Sequence, residues 1–222
     1  MLFAAGFGTR MGALTEARPK PMIAVAGKPL IDHALELVEA FEPGRVVVNL
    51  HYKPDMLERH LAGRGILFSH ERPEILETGG GLRKALPLLG SGPVFTMNTD
   101  AVWRGPNPLA LLAQAWDPEG MDALLLCVAP DHANGHEGKG DFVIDTNGGA
   151  RRGPGLIYTG VQILKTQDLK AIEAERFSLN LIWDKMLKRG RLHALTYPGD
   201  WCDVGRPEGI GIAETMLGDK DV

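Results

Sequence analysis

The chain has 222 residues, of which 44% are hydrophobic and 23% are charged, a composition typical of a soluble globular protein. Its 24 basic and 28 acidic side chains give a net charge of −4, which argues against a nucleic-acid or anionic-membrane partner. We expect a cytoplasmic protein without a signal peptide, since no apolar stretch approaches the ~20 residues that span a bilayer.

The first predicted element is a short buried strand over residues 1–5, which ends at a glycine-rich loop. Gly6 and Gly8 lack a Cβ, so the backbone can turn tightly there and come close to a ligand. Consecutive backbone N–H groups in such a turn form a concavity that suits anions. Arg10 and Lys20 bring a planar guanidinium and a compact ammonium to the same loop. The segment is typical of a polyphosphate site, and the alternative is an ordinary turn with solvated charges.

Two other glycine motifs do not fit this loop. A dinucleotide-binding fingerprint needs a third glycine at position 11 and an acidic residue about 20 residues further on. The chain instead has Met11, and its second predicted strand ends at residues 49–51 without an acidic residue. The glycine, lysine and serine or threonine spacing of a P-loop does not occur in the sequence. The loop is therefore neither of these two motifs.

Helices and strands alternate after the loop. Apolar side chains at spacings of three and four predict a helix over residues 30–41. The further elements are predicted strands over residues 45–50, 66–69 and 93–97 and predicted helices over residues 55–61 and 79–89. This order argues for a parallel sheet with helices on both faces. Residues 6–10 and Asp100 both follow strands, so we expect them at the same edge of that sheet.

The second half of the chain continues the alternation around an irregular centre. The predicted elements are helices over residues 108–116, 179–189 and 207–216 and strands over residues 122–129, 156–164 and 192–197. Residues 130–155 are rich in glycine and predict two hairpin-like excursions that form a small lobe. Cys127 and Cys202 make neither a disulfide framework nor a zinc pattern. Since we find no internal repeat or linker, we interpret residues 1–222 as a single domain.

Three motifs together resemble a known family. They are Ala4-Ala5-Gly6-x-Gly8-Thr9-Arg10-Met11, Pro19-Lys20-Pro21-Met22 and Trp201-x-Asp203-Val204-Gly205. This set resembles the signature of the sugar-1-phosphate nucleotidyltransferases, and the compact length is similar to their short N-acetylmuramate-1-phosphate uridylyltransferase and mannose-1-phosphate guanylyltransferase-like branch. The resemblance implies a Rossmann-like three-layer α/β fold, with a mostly parallel mixed sheet, helices on both faces and a small β lobe over the sugar. Residues 1–130 are then expected to bind mainly the nucleotide, and residues 131–206 mainly the sugar while supplying the second metal ligand.

The resemblance also implies roles for four charged side chains. Arg10 is expected to hold the β- and γ-phosphates that leave as pyrophosphate, and Lys20 to bridge the α-phosphate and the incoming sugar phosphate. Asp100 and Asp203 are expected to hold one Mg²⁺, an ion that binds one or two carboxylates together with phosphate oxygens and water. For each Asp, the alternative is a carboxylate that caps a turn or the following helix.

Mostly uncharged residues complete the implied site. Nucleotide-binding residues are implied at Ala4, Ala5, Gly6, Gly8, Thr9, Arg10, Thr78, Gly79, Gly80 and Asn98, and sugar-binding residues at Gly140, Asp141, Thr159 and Gly160. Glycine costs up to ~1 kcal/mol in a helix interior, so we interpret residues 79–81 as a place where the backbone approaches a planar base. Thr99 and Arg206 depart from the family pattern, which usually has a small residue and a threonine at these positions.

The reaction implied by the resemblance is Mg²⁺-dependent transfer of a nucleotidyl group from an NTP to a sugar 1-phosphate. We expect UTP as the donor and N-acetylmuramate 1-phosphate or another hexose or amino-sugar phosphate as the acceptor, in cell-wall nucleotide-sugar biosynthesis. Guanylyl transfer to mannose 1-phosphate is the nearest alternative, and a non-catalytic nucleotide- or sugar-binding regulator is an alternative of another class. The partners are these small molecules, and the protein is expected to be a monomer or a small homo-oligomer.

Overall fold

A computed structural model of the protein describes residues 1–218. The helices are α1 (Leu30–Phe41), α2 (Pro54–His60), α3 (Glu77–Leu89), α4 (Pro108–Ala115), α5 (Asn180–Lys188) and α6 (Glu208–Gly218). The strands are β1 (Leu2–Phe3), β2 (Ala24–Val25), β3 (Lys28–Pro29), β4 (Val47–Leu50), β5 (Leu67–His70), β6 (Val94–Asn98), β7 (Ala101–Arg104), β8 (Ala123–Val128), β9 (Ala133–Asn134), β10 (Phe142–Ile144), β11 (Ala150–Arg152), β12 (Ile157–Leu164), β13 (Leu192–Thr196) and β14 (Asp200–Asp203). Within residues 1–218, no helix combines the length and the apolar character needed to cross a membrane.

The central sheet has seven strands in the order β13-β8-β12-β6-β1-β4-β5. β1 pairs in parallel with β4 and β6, and the pairs β4–β5 and β8–β13 are also parallel. In this sheet β12 runs antiparallel to both of its neighbours, β6 and β8. The prediction of a mostly parallel mixed sheet is therefore confirmed, and the carboxyl ends of β1, β4, β5 and β6 meet at one edge.

Helices cover both faces of this sheet. Leu124 and Leu126 of β8 pack in a cluster with α1, α2 and α4, whereas Leu125 and Cys127 pack in a second cluster with α3 and α5. This division follows from the alternation of side chains along a strand. Each fully buried leucine contributes about 1.5–3 kcal/mol through removal of apolar surface from water. The predicted three-layer architecture is therefore confirmed.

A second sheet, with the strand order β7-β14-β9, is absent from the sequence-based prediction. β7 and β14 are antiparallel, and β9 runs parallel to β14. Beneath this sheet, Met11, Val102, Cys202 and Val204 pack in a third apolar cluster to which α6 also contributes. Because β7 begins directly after Asp100, its pairing with β14 brings residues 200–203 to the edge where β6 ends.

The glycine-rich stretch over residues 130–155 forms one hairpin, not the two that the sequence predicts. β10 and β11 pair antiparallel, with Phe142 opposite Arg152. Ala133 and Asn134, from the first predicted excursion, instead form β9, so that part of the prediction is wrong. The physical reason is that their backbone polar groups find partners on β14, far away in the sequence.

Candidate active site

The loop after β1 is shaped by a glycine in the left-handed conformation. Gly8 has φ 67° and ψ 28°, and a Cβ there would lie 2.8 Å from Lys20 Cβ and 2.9 Å from Thr15 Cγ2. The Gly8 carbonyl accepts hydrogen bonds from Met11 N at 2.8 Å and from Thr15 Oγ1 at 3.2 Å. Glycine at this position therefore lets the loop pack directly against Lys20.

Lys20 and Asp100 form an ion pair at the carboxyl edge of the sheet. Lys20 Nζ donates to Asp100 Oδ2 at 2.7 Å, although the two residues are 80 positions apart. Lys20 is buried, with 8% of its surface exposed. Asp100 follows β6, which is a direct neighbour of β1 in the sheet. The order of the strands thus brings the loop lysine and this carboxylate together.

Asp203 lies beside Asp100 because β14 pairs with β7. Asp203 is the last residue of β14, and Val204 N donates to the Asp100 carbonyl at 2.8 Å. Burial raises the pKa of the Asp203 carboxyl, and the negative charge of Asp100 raises it further. The positive charges of Lys20 and Arg10 act in the opposite direction. The two carboxylates therefore repel each other in a partly buried place that would favour a cation.

Arg10 reaches the same place from the glycine loop. A Cβ on Gly205 would lie 3.1 Å from Arg10 Nη1 and 2.9 Å from Asp203 Oδ2, so both groups border this glycine. The structure therefore brings together the four charged residues that the sequence singles out, from segments near both ends of the chain.

The donor set at this edge fits Mg²⁺. Asp100 and Asp203 offer hard carboxylate oxygens of the kind that this ion prefers. Within residues 1–218, no group of three or more His, Cys, Asp or Glu side chains is arranged to hold a metal. Two carboxylates are sufficient for Mg²⁺, because it takes its other ligands from water and from substrate phosphates.

A cavity of about 210 Å³ opens between the end of β1, the end of β6 and the start of α3. Five of the predicted nucleotide-binding residues line it, and they are Ala4, Ala5, Gly6, Thr78 and Asn98. Lys20 and Asp100 also line it, so the cavity is continuous with the charged cluster. The lining does not include Gly8, Thr9, Gly79 or Gly80.

The glycines at the start of α3 pack against protein. Gly79 N and Gly80 N donate to the Phe177 carbonyl at 2.9 and 3.0 Å, and a Cβ on Gly79 would overlap the Phe177 ring. A Cβ on Gly81 would overlap the carboxylate of Glu71. These glycines therefore allow neighbouring protein segments to pack on the helix, and their close approach to a base stays a prediction.

Gly140 and Asp141 lie where the β10–β11 hairpin meets the central sheet. Gly140 has φ 87°, and a Cβ there would overlap the backbone of Gly155. Asp141 Oδ2 accepts a hydrogen bond from Tyr158 N at 2.9 Å. These two residues thus fix the hairpin onto β12.

Thr159 and Gly160 lie at an irregularity of β12, where the pairing with β8 shifts. Thr159 Oγ1 donates to the Leu126 carbonyl at 2.7 Å, so this hydroxyl is bound within the sheet. Gly160 has φ 85°, and a Cβ there would lie 2.6 Å from Asn98 Nδ2. Gly160 therefore lets β12 approach Asn98, which lines the cavity.

The two departures from the family pattern have different surroundings. Thr99 is buried, and its hydroxyl donates to the Phe3 carbonyl at 2.8 Å, so it binds the end of β1. Arg206 is exposed and pairs with Glu137 at 3.0 Å. A larger cavity of about 740 Å³, also lined by Arg10 and Asp203, adjoins this pair.

The sequence analysis missed two buried polar residues beside the cavity, Asn49 and Glu71. Asn49 belongs to β4 and Glu71 directly follows β5, so both lie at the carboxyl edge. The sequence signal for them is weak, since polar residues at strand ends are common, but their position relative to parallel strands is where ligand sites form.

Comparison with known families gives the class of protein to which this fold and this charged cluster belong. Residues 1–198 match the MobA-like NTP transferase domain, so the chain belongs to this family and is an enzyme of the nucleotidyltransferase class. Asp203 lies beyond the matched residues. The resemblance to the sugar-1-phosphate nucleotidyltransferases is confirmed by the relatives that follow.

The N-acetylmuramate alpha-1-phosphate uridylyltransferase of Caulobacter vibrioides is 39% identical, over 98% of this chain and 96% of its own. The mannose-1-phosphate guanyltransferase of Gibberella zeae is 30% identical over 94% of this chain, which spans 61% of that longer protein. Among solved structures, HddC from Yersinia pseudotuberculosis complexed with GMP-PN superposes with a TM-score of 0.77 over 97% of both chains. At 23% identity, this last likeness shows the fold.

Proposed function

We propose that the chain transfers a uridylyl group from UTP to a sugar 1-phosphate, with N-acetylmuramate 1-phosphate as the preferred acceptor. An oxygen of the sugar phosphate attacks the α-phosphorus of UTP, the bond to the bridging oxygen breaks, and pyrophosphate leaves. The observation that carries this proposal is the meeting of Arg10, Lys20, Asp100 and Asp203 at one edge of the sheet.

Both reactants are anions, so the main tasks of the site are to neutralise charge and to hold the reacting groups in line. In this proposal Lys20 would exchange its contact with Asp100 for an α-phosphate oxygen and the incoming sugar phosphate. Arg10 would bind the β- and γ-phosphates through its planar fork. Backbone N–H groups of Ala5 and Gly6 are the candidates for the remaining phosphate contacts.

Mg²⁺ is the cofactor in this proposal. Asp100 and Asp203 are the residues that would hold it, as their hard oxygens and mutual repulsion favour a cation. The ion would supply charge neutralisation on the phosphates. Binding there would also free Lys20 Nζ from its bond with Asp100 Oδ2.

We assign the two substrates to different parts of the chain. Residues 1–130 contain the glycine loop and the cavity lining, and so are proposed to bind mainly the nucleotide. Residues 131–206 contain the β10–β11 hairpin and Asp203, and so are proposed to cover the sugar and complete the metal site. Gly140, Asp141, Thr159 and Gly160 would shape the sugar pocket through the backbone they position, since the Asp141 and Thr159 side chains bind protein groups.

Uridylyl transfer is favoured because the Caulobacter vibrioides relative matches this chain over nearly the full length of both proteins. Guanylyl transfer to mannose 1-phosphate is the second candidate. It is supported by the 30% identity to the Gibberella zeae guanyltransferase. A non-catalytic regulator is disfavoured, since all four charged residues of the reaction are present and lie together.

The test is pyrophosphate release with Mg²⁺, each of the four NTPs and a panel of sugar 1-phosphates. We expect the highest kcat/KM with UTP and N-acetylmuramate 1-phosphate, and no metal-dependent turnover for Asp100→Asn or Asp203→Asn. Preference for GTP and mannose 1-phosphate would replace the proposal by the second candidate. Absence of pyrophosphate release with every combination would support the regulator.

A further inference from the structure

Glu71 is a carboxylate with none of its surface exposed, next to the proposed nucleotide cavity. Glu71 Oε1 accepts a hydrogen bond from Asn49 Nδ2 at 2.7 Å, and Oε2 accepts one from Leu76 N at 2.6 Å. Within residues 1–218, no Lys, Arg or His side chain pairs with the Glu71 carboxylate. A fully buried carboxyl group is costly unless its hydrogen bonds are made, and both oxygens of Glu71 make one, so the two groups that they bind indicate what this side chain holds in place.

Asn49 extends this contact to the glycine loop. Asn49 is 3% exposed, and its Oδ1 accepts a hydrogen bond from Ala4 N at 2.7 Å. The side chains of Asn49 and Glu71 therefore form a continuous bridge between Ala4 N and Leu76 N. Ala4 and its neighbours line the cavity from the end of β1, and Ile75, Glu77 and Thr78, which flank Leu76, line it from the start of α3.

The surroundings of the bridge are built to keep Glu71 in place. Its backbone N donates to the Leu50 carbonyl at 2.8 Å, and its carbonyl is bound to His51 Nδ1 at 2.8 Å. A Cβ on Gly81 would overlap the Glu71 carboxylate and lie 3.1 Å from Asn49 Nδ2. Gly81 therefore gives the bridge the room that it needs against α3.

We propose that Asn49 and Glu71 are positioning residues that set the nucleobase preference of the NTP site. By joining Ala4 N to Leu76 N, they fix the separation of the two cavity walls, which bear the backbone groups nearest to a bound base. A narrow, fixed separation suits a pyrimidine, and polar wall groups can then be placed against one pattern of base donors and acceptors. This inference rests on the proposed nucleotidyl transfer only for the location of the nucleotide.

Hydrogen-bond chemistry provides a matched set of variants. Glu71→Gln replaces one acceptor oxygen by a donor NH2 group. Either Asn49 Nδ2 or Leu76 N then faces another donor, and one of the two hydrogen bonds is lost. In Asn49→Asp, two carboxylates face each other across the bridge. The double variant, Asn49→Asp with Glu71→Gln, restores every hydrogen bond and moves the carboxylate from position 71 to position 49. The carboxylate at position 49 accepts from Ala4 N and from the amide NH2 at position 71, and the amide oxygen at position 71 accepts from Leu76 N.

The measurement is the dissociation constant of each Mg²⁺-bound NTP by calorimetry, without sugar phosphate. We expect the wild type to prefer UTP over CTP and GTP by at least about 10-fold, each single variant to lose most of this preference, and the double variant to regain it to within about 3-fold. Thermal unfolding of all four proteins runs alongside, because a purely structural role would lower stability without changing the ratio between bases.

Three results would overturn the inference: a wild type without base preference, single variants that keep it, or a double variant that fails to fold or to regain it. If the single variants do not fold, the double variant decides alone. Because binding is measured without a sugar phosphate, the inference and the proposed function fail separately. The inference would stand even without pyrophosphate release, provided that the base preference is lost in the single variants and regained in the double variant.

Discussion

Lys20 and Asp100 neutralise each other before a substrate binds, at an Nζ–Oδ2 distance of 2.7 Å. A buried lysine without a partner would be costly, so Asp100 stabilises Lys20 in the free enzyme. In the proposed reaction both side chains change partners. Phosphate oxygens replace Asp100 as the partner of Lys20, and a cation replaces Lys20 as the partner of Asp100. The ion pair therefore holds both side chains in place before any ligand binds.

Replacement of this lysine gives the first prediction. We expect Lys20→Ala to lower kcat/KM at least about 100-fold, the usual effect of losing one preorganised donor to a transition-state oxygen. Lys20→Arg should not restore activity, because Gly8 packs closely against the stem of this side chain and a guanidinium is larger and planar. The measurement is steady-state pyrophosphate release.

Lys28 offers the matched control for this variant. It is a partly exposed lysine at the surface that pairs with Glu36 at 2.6 Å, and such surface pairs contribute little. Lys28→Ala should retain kcat/KM within about twofold of the wild type. Equal activities for Lys20→Ala and Lys28→Ala would exclude Lys20 from the reaction.

At the residue scale, the sequence predicted what is local in the chain. Arg10 and Lys20 lie in short motifs, and Asp100 follows a strand that is recognisable from its own composition. Asn49 and Glu71 escaped because their partners are distant: the bond between them spans 22 positions, and the bond from Ala4 to Asn49 spans 45. A single polar residue at a strand end carries no signal of such a partner.

At the scale of elements, β7 and β14 show why the three-stranded sheet was not predicted. Arg104 closes β7 and aspartates begin and end β14, so neither strand shows the apolar run by which the equally short β4 was predicted. Their pairing also joins segments almost a hundred residues apart, as the bond between Arg104 and Asp200 shows. The longer elements α1, β8 and β12 were predicted because each has a sufficient pattern of its own.

Asp200 stabilises this pairing and gives the second prediction. Its Oδ2 accepts from Arg104 Nη2 at 2.6 Å, and its Oδ1 is bound to His132 Nδ1 at 2.8 Å. The bond with His132, with Arg104 in support, holds the pKa of the Asp200 carboxyl below its usual range. A depressed pKa means that this stabilisation is present above the unfolded-state pKa of about 3.9 and is lost as the pH falls further.

We therefore expect Asp200→Asn to lower the free energy of unfolding by about 1 kcal/mol at pH 7. The difference from the wild type should shrink in acid, below the unfolded-state pKa. Asp184→Asn is the control, because Asp184 makes an exposed pair with Arg152. The measurement is urea unfolding at pH 7 and at a pH below the unfolded-state pKa. The same difference in unfolding free energy between Asp200→Asn and the wild type at both pH values would contradict the electrostatic explanation.

The glycine loop gives a third prediction. Gly8→Ala should be destabilising for two reasons, the left-handed backbone (about 1–2 kcal/mol) and overpacking against Lys20 and Thr15 (about 1–3 kcal/mol). Gly63 is the control, because it has φ 79° and no heavy atom lies within 4 Å of its Cβ position. Gly63→Ala should therefore lose only the unfolding free energy that the left-handed backbone costs. Equal losses of unfolding free energy for the two variants would show that the loop does not pack on Lys20.

At the scale of the whole molecule, the charged cluster depends on the complete order of strands. β1 and β6 are neighbours in the central sheet, which sets Lys20 against Asp100, and the small sheet then adds Asp203 from near the other end of the chain. A cluster built from such distant segments forms only when the whole fold is present. Ligands that join these segments should therefore stabilise the folded chain as a unit.

This coupling gives the last prediction, in which nucleotide and metal stabilise the protein together. At 100 times its dissociation constant, Mg²⁺-bound UTP should add about 2.7 kcal/mol to the free energy of unfolding, which raises Tm by roughly 5–10 °C for a chain of this size. Chelation with EDTA should remove most of the shift, because Asp100 and Asp203 would repel the triphosphate without a cation between them. Asp203→Asn should likewise reduce the shift, while Asp200→Asn should keep it. Differential scanning fluorimetry measures all four cases, and an undiminished shift in EDTA would show that nucleotide binding does not require a metal at this site.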